Sequence, residues 1–438
     1  MKVAILGYAR EGRSACQHWN QSGNQLTICD QDPDKQLPDG VSAQLGKDYL
    51  EGLDHFDLIV RSAGLNPRLI TAANPDAPNI LDKVTTSVNE FMQVSPSRNI
   101  IGITGTKGKG TTSTLIMKML EAAGHTVHLG GNIGIAPLDM LQGGIRPDDW
   151  VVLELSSFQL TDLKHSPPYA ICLMVEEEHL NWHDDMDDYL NAKKQLFAHQ
   201  AEDNVAVFCA TNRYSAAIAQ ASPGLVIPYM SSPGAEVIEE KKIVIDGQAI
   251  CDVSEIRLLG KHNWQNVCAA LTMVWNITQD VAALHRAITD FMGLPHRLEM
   301  VREVDGVHYY NDSFSSAPGA TVAALEAIPG HKVMIIGGLD KGLDLNELAR
   351  SVLMHQKEIR RVIIIGEIGP RLVTTLQAHA FTNFDILKHV AITDIVKHAR
   401  ETAQSGDKVV FSPGTSSFDM FKDFEDRGLK YKDAVNAL

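Results

Sequence analysis

The stretch GITGTKGKGTT at residues 102–112 limits what this chain can fold into more than any other. It follows the apolar run NIIGIT and precedes TSTLIMKMLEAAGH, where Leu115, Ile116, Met119, Leu120 and Ala123 recur at helical spacing before Gly124. Strand, glycine-rich loop and helix in that order predict a phosphate cradle. Gly105 and Gly108 let backbone N–H groups approach an anion, Lys109 adds positive charge, and the helix N-terminus directs its dipole at the same place. A glycine-rich turn with a surface lysine is the plainer alternative, but it leaves the flanking strand and helix without a purpose. Gly110 stands where a magnesium-ligating hydroxyl normally follows the lysine, so Thr111 is the nearest replacement.

The rest of the chain reads as α/β, and 438 residues exceed one ordinary core, which predicts two or three domains. Within 1–95, KVAILG, QLTICD and DLIVRSAG alternate with helical or loop stretches, as in a parallel sheet. The polar VSPSRN at 94–99 marks a first linker. NIIGIT, DWVVLELSS and YAICLMV are the expected strands of a central unit. In KKIVIDGQAICDV, Asp246-Gly247 separates two apolar arms, a hairpin signal that makes this unit mixed, with an antiparallel appendage. From about 297 onward VMIIGG, RVIIIGE, VAITD and KVVFSPG predict the strands of a third α/β unit.

Composition excludes several classes of function. A formal charge of −15 argues against nucleic acid or an anionic membrane as the main partner. The six cysteines form no C-x-x-C pair and lie in apolar segments, which fits a reducing cytoplasm. MKVAILGYAREG is too short an apolar run for a signal peptide, and no window reaches the length of a membrane span.

Other candidate residues are scattered along the chain. Glu154 ends the apolar strand of VVLELSSFQL, where a buried carboxylate is costly unless paired or metal-bound, while a strand-end carboxylate facing solvent is the bland reading. Beside a phosphate loop it suits Mg²⁺, which takes carboxylate, hydroxyl and phosphate oxygens. EEEHLNWHDDMDDY at 176–189 gathers His179, His183 and many carboxylates; it reads as a solvated acidic loop, or with His179 as ligand of a second cation. GKHNWQN and GLPHRLE place Asn263, Asn266, His296 and Arg297 in glycine-bounded turns, where amides can read a base edge and arginine suits phosphate. GYAREG at 7–12, with Asp30 ending the next strand, has the outline of a degenerate dinucleotide fingerprint or of a tight strand-to-helix turn.

These fragments, together with GGNIG, YLNAKKQLF, YNDS, GGLDKG and SPGTSSFDMFKDFEDRG, resemble the Mur ligases over essentially the whole chain. The resemblance implies three domains: a Rossmann-like UDP-binding domain over 1–95, a P-loop ATPase domain over 96–296, and a Rossmann-like amino-acid-binding domain over 297–438 that closes over the nucleotide. It implies ATP held by Gly105, Thr106, Lys107, Gly108, Lys109, Gly110 and Thr111, with Asn263, Asn266 and His296 at adenine, Arg297 on phosphate and Asp312 on ribose. One Mg²⁺ would sit on Glu154 and Thr111, and a second on His179. Lys193 matches the lysine this family carries as a carbamate bridging to the metal; Lys194 is the alternative register. Gly7, Arg10, Glu11 and Asp30 would meet the UDP group, and Asn132, Ser157 and Gln159 would line the nucleotide-sugar path. Ser316, Lys341, Ser417 and Phe424 fall where glutamate is held.

The implied reaction is cytoplasmic peptidoglycan precursor synthesis by a monomer: ATP-dependent ligation of glutamate, usually the D-enantiomer, to UDP-N-acetylmuramoyl-L-alanine through an acyl phosphate. Two departures from the family pattern stand out. Met174, Glu176 and Glu178 replace the usual Asn, Thr and Asp ahead of the histidine, and Phe314, Ser315, Ser316 and Ala317 replace Lys-x-Thr-Asn after YNDS. The second leaves open L-glutamate or another amino acid as acceptor. GKG also occurs in the folylpolyglutamate synthetase branch, which lacks a separate N-terminal UDP-binding domain. A nicotinamide oxidoreductase would rest on GYAREG alone, and a nucleotide-binding protein without catalysis would follow from the departures.

Overall fold

The computed structural model describes residues 1–20, 23–388 and 390–438. They form two compact units, Met1–Glu255 with Trp264–Asp290, and Ile256–Asn263 with Phe291–Leu438.

The first unit contains a five-stranded sheet of β1 (Lys2–Leu6), β2 (Gln25–Asp30), β3 (Ser42–Leu45), β4 (Leu58–Arg61) and β5 (Val84–Thr85), in the order β3-β2-β1-β4-β5 and all parallel. Beside it lies a six-stranded sheet of β6 (Ile100–Thr104), β7 (Val127–Gly131), β8 (Trp150–Glu154), β9 (Tyr169–Cys172), β10 (Val205–Cys209) and β11 (Leu225–Tyr229). Its order is β11-β10-β9-β6-β8-β7, with every pairing parallel. The sequence predicted a mixed central sheet, and the structure corrects this: it is wholly parallel. The antiparallel strands β12 (Glu236–Ile238), β13 (Lys242–Ile245) and β14 (Gln248–Asp252) form a sheet of their own. Burial explains the segregation: all of β6 and β8 is buried, as a strand covered on both faces must be, whereas β13 and β14 mix buried and exposed positions. The expected hairpin is present, with Asp246 and Gly247 both at positive φ, as its tight turn requires.

In the second unit β15 (Glu299–Val304) pairs antiparallel with β16 (Val307–Asn311). The parallel strands β17 (Lys332–Gly337), β18 (Ile359–Ile365), β19 (Phe384–Leu387) and β20 (Lys408–Phe411) complete the order β15-β16-β20-β17-β18-β19. VAITD is not a strand. The edge strand comes earlier, and Ile392 opens a helix that buries Ile395, Val396 and Ala399 on one face. Five consecutive residues cannot distinguish period 2 from period 3.6.

The linker segment 94–99 runs from the end of the helix Ser87–Val94 to β6 and is packed. Ser95 and Ser97 are buried, and Ser97 Oγ donates to Asp149 O at 2.6 Å. Arg61, at the end of β4 and 1% exposed, ties the first sheet to the second. Its guanidinium holds both carboxylate oxygens of Asp162 at 2.9 and 2.6 Å, and Phe158 O at 3.0 Å. It also gathers the carbonyls of Ser62, Ala63 and Leu65, shaping the loop after β4. A planar fork of five donors can do this, whereas an ammonium cannot. Among the described residues no helix is long and apolar enough to cross a membrane.

Arg61→Met is expected to destabilise the chain by about 3–5 kcal/mol, because it strands a largely buried carboxylate and several carbonyls. Urea denaturation reads this as a lower midpoint, with Arg61→Lys falling between; an unchanged midpoint for Arg61→Met would show that the joint carries no stability.

Candidate active site

Strand β6 ends at Thr104 and the chain turns through Gly105 at φ +146°, where an added Cβ would lie 2.6 Å from the Leu173 Cβ. Gly108, at φ +87°, caps the helix Lys109–Ala122, and a Cβ there would come within 2.2 Å of Asn266 Oδ1. Only glycine fits both positions. Thr106 pins the loop: its N–H donates to Met174 O at 2.9 Å, and its hydroxyl lies 3.0 Å from the Tyr189 hydroxyl. Lys107 is exposed and pairs with Glu176 at 3.1 Å, a surface contact of little energetic weight. Gly110, Thr111 and Thr112 are buried in the first helical turn, with Thr112 Oγ1 3.4 Å from Asn266 Oδ1.

Two lysines converge beneath this loop. Lys109 Nζ and Lys193 Nζ each donate to Gly105 O at 3.1 Å. Lys193 is 1% exposed, on the helix Met186–Ala198, and lies 4.5 Å over the Tyr189 ring. Burial, reinforced by the charge of Lys109, pushes its amine down to about 7. Its neighbour Lys194 points outward to Asn191, so Lys193 is the lysine under the loop.

Glu154 ends β8, beside β6, and is 3% exposed. Its Oε1 accepts from Asn132 Nδ2 at 2.9 Å. His179 stands at φ +61° with its ring 4.8 Å from Phe158. Burial lowers its pKa, with the charges of Lys109 and Lys193 adding to the effect and Glu178 opposing it. Among the described residues no three His, Cys, Asp or Glu side chains cluster as a metal cage. A carboxylate with a hydroxyl at Thr111, and separately an imidazole, fit instead cations that take much of their coordination from phosphate oxygens, as Mg²⁺ does.

Ser157 and Gln159 are buried and have protein partners. Ser157 Oγ is 3.0 Å from His183 Nε2, and Gln159 Nε2 donates to Glu11 Oε1 at 2.7 Å. Glu11 also accepts from Ala63 N, and Arg10 donates to the carbonyls of Gly131, Asn132 and Gly134. These residues join the fingerprint loop to the central sheet. Asp30 accepts from Tyr8 N at 2.7 Å, just past Gly7 at φ +84°. His183 was visible in the acidic run, but nothing in that run marked it as buried. In the fold it is 2% exposed, and burial lowers its pKa despite Asp188.

The remaining candidates belong to the second unit. Asn263 Nδ2 donates to Leu259 O at 2.7 Å. His296, buried and at φ +63°, accepts at Nδ1 from Asn311 Nδ2, and burial lowers its pKa. Asp312 accepts from Ser412 Oγ and Leu298 N, and burial pushes its carboxyl up to about 7. The Arg297 guanidinium lies 5.2 Å from the Phe314 ring, which meets Phe424 edge-on at 5.1 Å. Ser316 and Lys341 are exposed, and Ser417 is buried.

A family model described as the Mur ligase middle domain matches residues 103–274, and one described as the Mur ligase, glutamate ligase domain matches 296–414. The UDP-N-acetylmuramoylalanine–D-glutamate ligase of Clostridium tetani is 32% identical over 457 residues, covering 100% of this chain and 97% of that protein. The ligase of the same name from Acetivibrio thermocellus is 32% identical, covering 100% and 96%. Among solved structures, MurF from Acinetobacter baumannii superposes with a TM-score of 0.65 at 14% identity, covering 99% of this chain and 93% of that one. MurF ligase from Thermotoga maritima in complex with ADP gives 0.60 at 15% identity, covering 99% and 95%. These two share the α/β fold with its parallel sheets. On the full-length identity, the chain belongs to the Mur ligase family.

Proposed function

We propose that this chain ligates D-glutamate to UDP-N-acetylmuramoyl-L-alanine, forming ADP and phosphate. One observation carries the reading: a glycine-built anion cradle with two lysine amines beneath it and a buried carboxylate on the next strand, in a chain matched end to end by enzymes named for this ligation. The names of those relatives favour D-glutamate over the L-enantiomer. Three functional segments are proposed, 1–95 for UDP, 96–296 for ATP and 297–438 for the amino acid.

The alanyl carboxylate oxygen bonds to the γ-phosphorus as the bond to the ADP oxygen breaks. The glutamate amine then attacks the acyl carbon, loses a proton, and phosphate leaves with the electrons of its carbon–oxygen bond. Lys109 and the amides of residues 105–111 would hold phosphate oxygens and neutralise charge that grows in the transition state. Glu154 and Thr111 would hold one Mg²⁺ and His179 a second, and these ions would supply Lewis-acid neutralisation of the phosphates. Asn263, Asn266, His296, Arg297 and Asp312 are the proposed contacts to the rest of ATP, and Ser316, Lys341, Ser417 and Phe424 those to glutamate. Gly7, Arg10, Glu11, Asp30, Asn132, Ser157 and Gln159 are assigned to the nucleotide-sugar side. Lys193 is assigned as a carbamate, because a neutral buried amine adds CO₂ and releases a proton, turning a neutral group into an anion beside the phosphates.

Incubation with ATP, Mg²⁺, UDP-N-acetylmuramoyl-L-alanine and each glutamate enantiomer is expected to yield the amide by mass spectrometry with D-glutamate. Product with L-glutamate alone would reverse the enantiomer, and none with either would overturn the reading. Lys109→Ala and Glu154→Ala should each lower turnover by about two to four orders of magnitude; near-normal phosphate release from both would remove them from the site.

A lysine amine lowered to about 7 loses its proton as pH rises through that value, so the carbamylated fraction should climb between about pH 6 and 8. With ¹³C-bicarbonate, a carbamate resonance is expected to follow that rise and to vanish in Lys193→Arg. A resonance that persists in the variant would assign it elsewhere.

A further inference from the structure

Asp188, His183 and Ser157 form a hydrogen-bonded line in the first unit, and of the three only Ser157 has a place in the reading above, on the nucleotide-sugar side. His183 Nδ1 lies 3.1 Å from Asp188 Oδ2, and Nε2 lies 3.0 Å from Ser157 Oγ. A carboxylate only accepts, so Nδ1 carries the proton and Nε2 accepts from the serine hydroxyl. The ring is enclosed by Phe158, Trp182 and Tyr189, with centroids at 5.9, 4.6 and 5.2 Å. The segment is further moored to the loop after β4: Trp182 Nε1 donates to Gly64 O, and Asn66 Nδ2 donates to Trp182 O, each at 3.0 Å.

The line matters for what its ends carry. Ser157 follows Glu154 by three residues, in the turn that leaves β8. His183 follows His179 by four, and the N–H groups of Trp182 and His183 both donate to His179 O, at 2.9 and 3.0 Å. The Ser157–His183 bond therefore crosslinks the strand end bearing Glu154 to the turn bearing His179. His179 itself sits in the left-handed region, which a non-glycine residue keeps only when its surroundings enforce it.

We propose that His183 is a positioning residue for cation binding: oriented by Asp188 and gripping Ser157, it sets the spacing between His179 and Glu154. This rests on the assignment of those two side chains to Mg²⁺ in the reading above. Its role is geometric, so its loss should show in cation affinity before any turnover is measured.

The test is Mn²⁺ binding in the presence of ADP, followed by electron paramagnetic resonance on the full chain. His183→Phe keeps the aromatic packing but loses both hydrogen bonds, and it should raise the Mn²⁺ dissociation constant about tenfold or more. Ser157→Ala should do the same, the double variant should be no worse than either, and His183→Gln, whose amide oxygen can still accept from Ser157, should recover most of the loss. If His183→Phe does not fold, Ser157→Ala and His183→Gln carry the comparison. Unchanged affinity in folded variants, or losses that multiply in the double variant, would overturn the proposal. Absence of Mn²⁺–ADP binding by the unaltered chain would instead overturn the functional reading, and this inference with it.

Discussion

Strand β6 lies between β9 and β8 with every strand parallel, and the rest of the first unit's chemistry depends on that arrangement. Parallel pairing puts the carboxyl ends of neighbouring strands on one edge, where ligands of open α/β sheets bind. The glycine loop leaves β6 there, Glu154 ends β8 there, and the chain leaves β9 there on its way to His179. Asn132, just past β7, joins the same edge through its bond to Glu154. Residues far apart in sequence are brought to one edge because hydrogen-bonded strands lie about 5 Å apart.

Gathering these groups concentrates charge in a dry place. Lys109 and Lys193 donate to the same carbonyl, and burial lowers the amine of Lys193 towards neutrality. Several other buried polar groups of the unit are paired. Arg61 spends its donors on Asp162 and four carbonyls, Glu11 is shared between Gln159 and Ala63, and His183 is held at both nitrogens. A pattern emerges in which residues assigned to nucleotide or sugar contact also brace the site, as Arg10, Glu11 and Gln159 do between the first sheet and the second.

The readings that succeeded rest on local signals. Gly105 and Gly108 announce backbone conformations closed to other residues, and Asp246-Gly247 announces a turn. The readings that failed needed partners distant in sequence. VAITD is apolar enough for a strand, yet its isoleucine starts a helical face. The hairpin arms were legible, but nothing in them tells whether they join the central sheet or stand apart. His183 and Asp188 sit in a run so acidic that solvation was the natural reading, and only the aromatic cage of Phe158, Trp182 and Tyr189 reveals the histidine as interior.

By itself, then, the sequence determined the α/β class, the glycine loop with its helix and the strand-end carboxylate, because each is written in glycine placement or in hydrophobic period over a few consecutive residues. The tertiary structure alone decided which lysine of the pair at 193–194 is buried under the loop, which carboxylate answers Arg61, and that Ser157 bonds His183. Those outcomes depend on strand order and on helix rotation against the sheet. A one-residue change of register would carry each side chain to another face, so no local pattern can encode them.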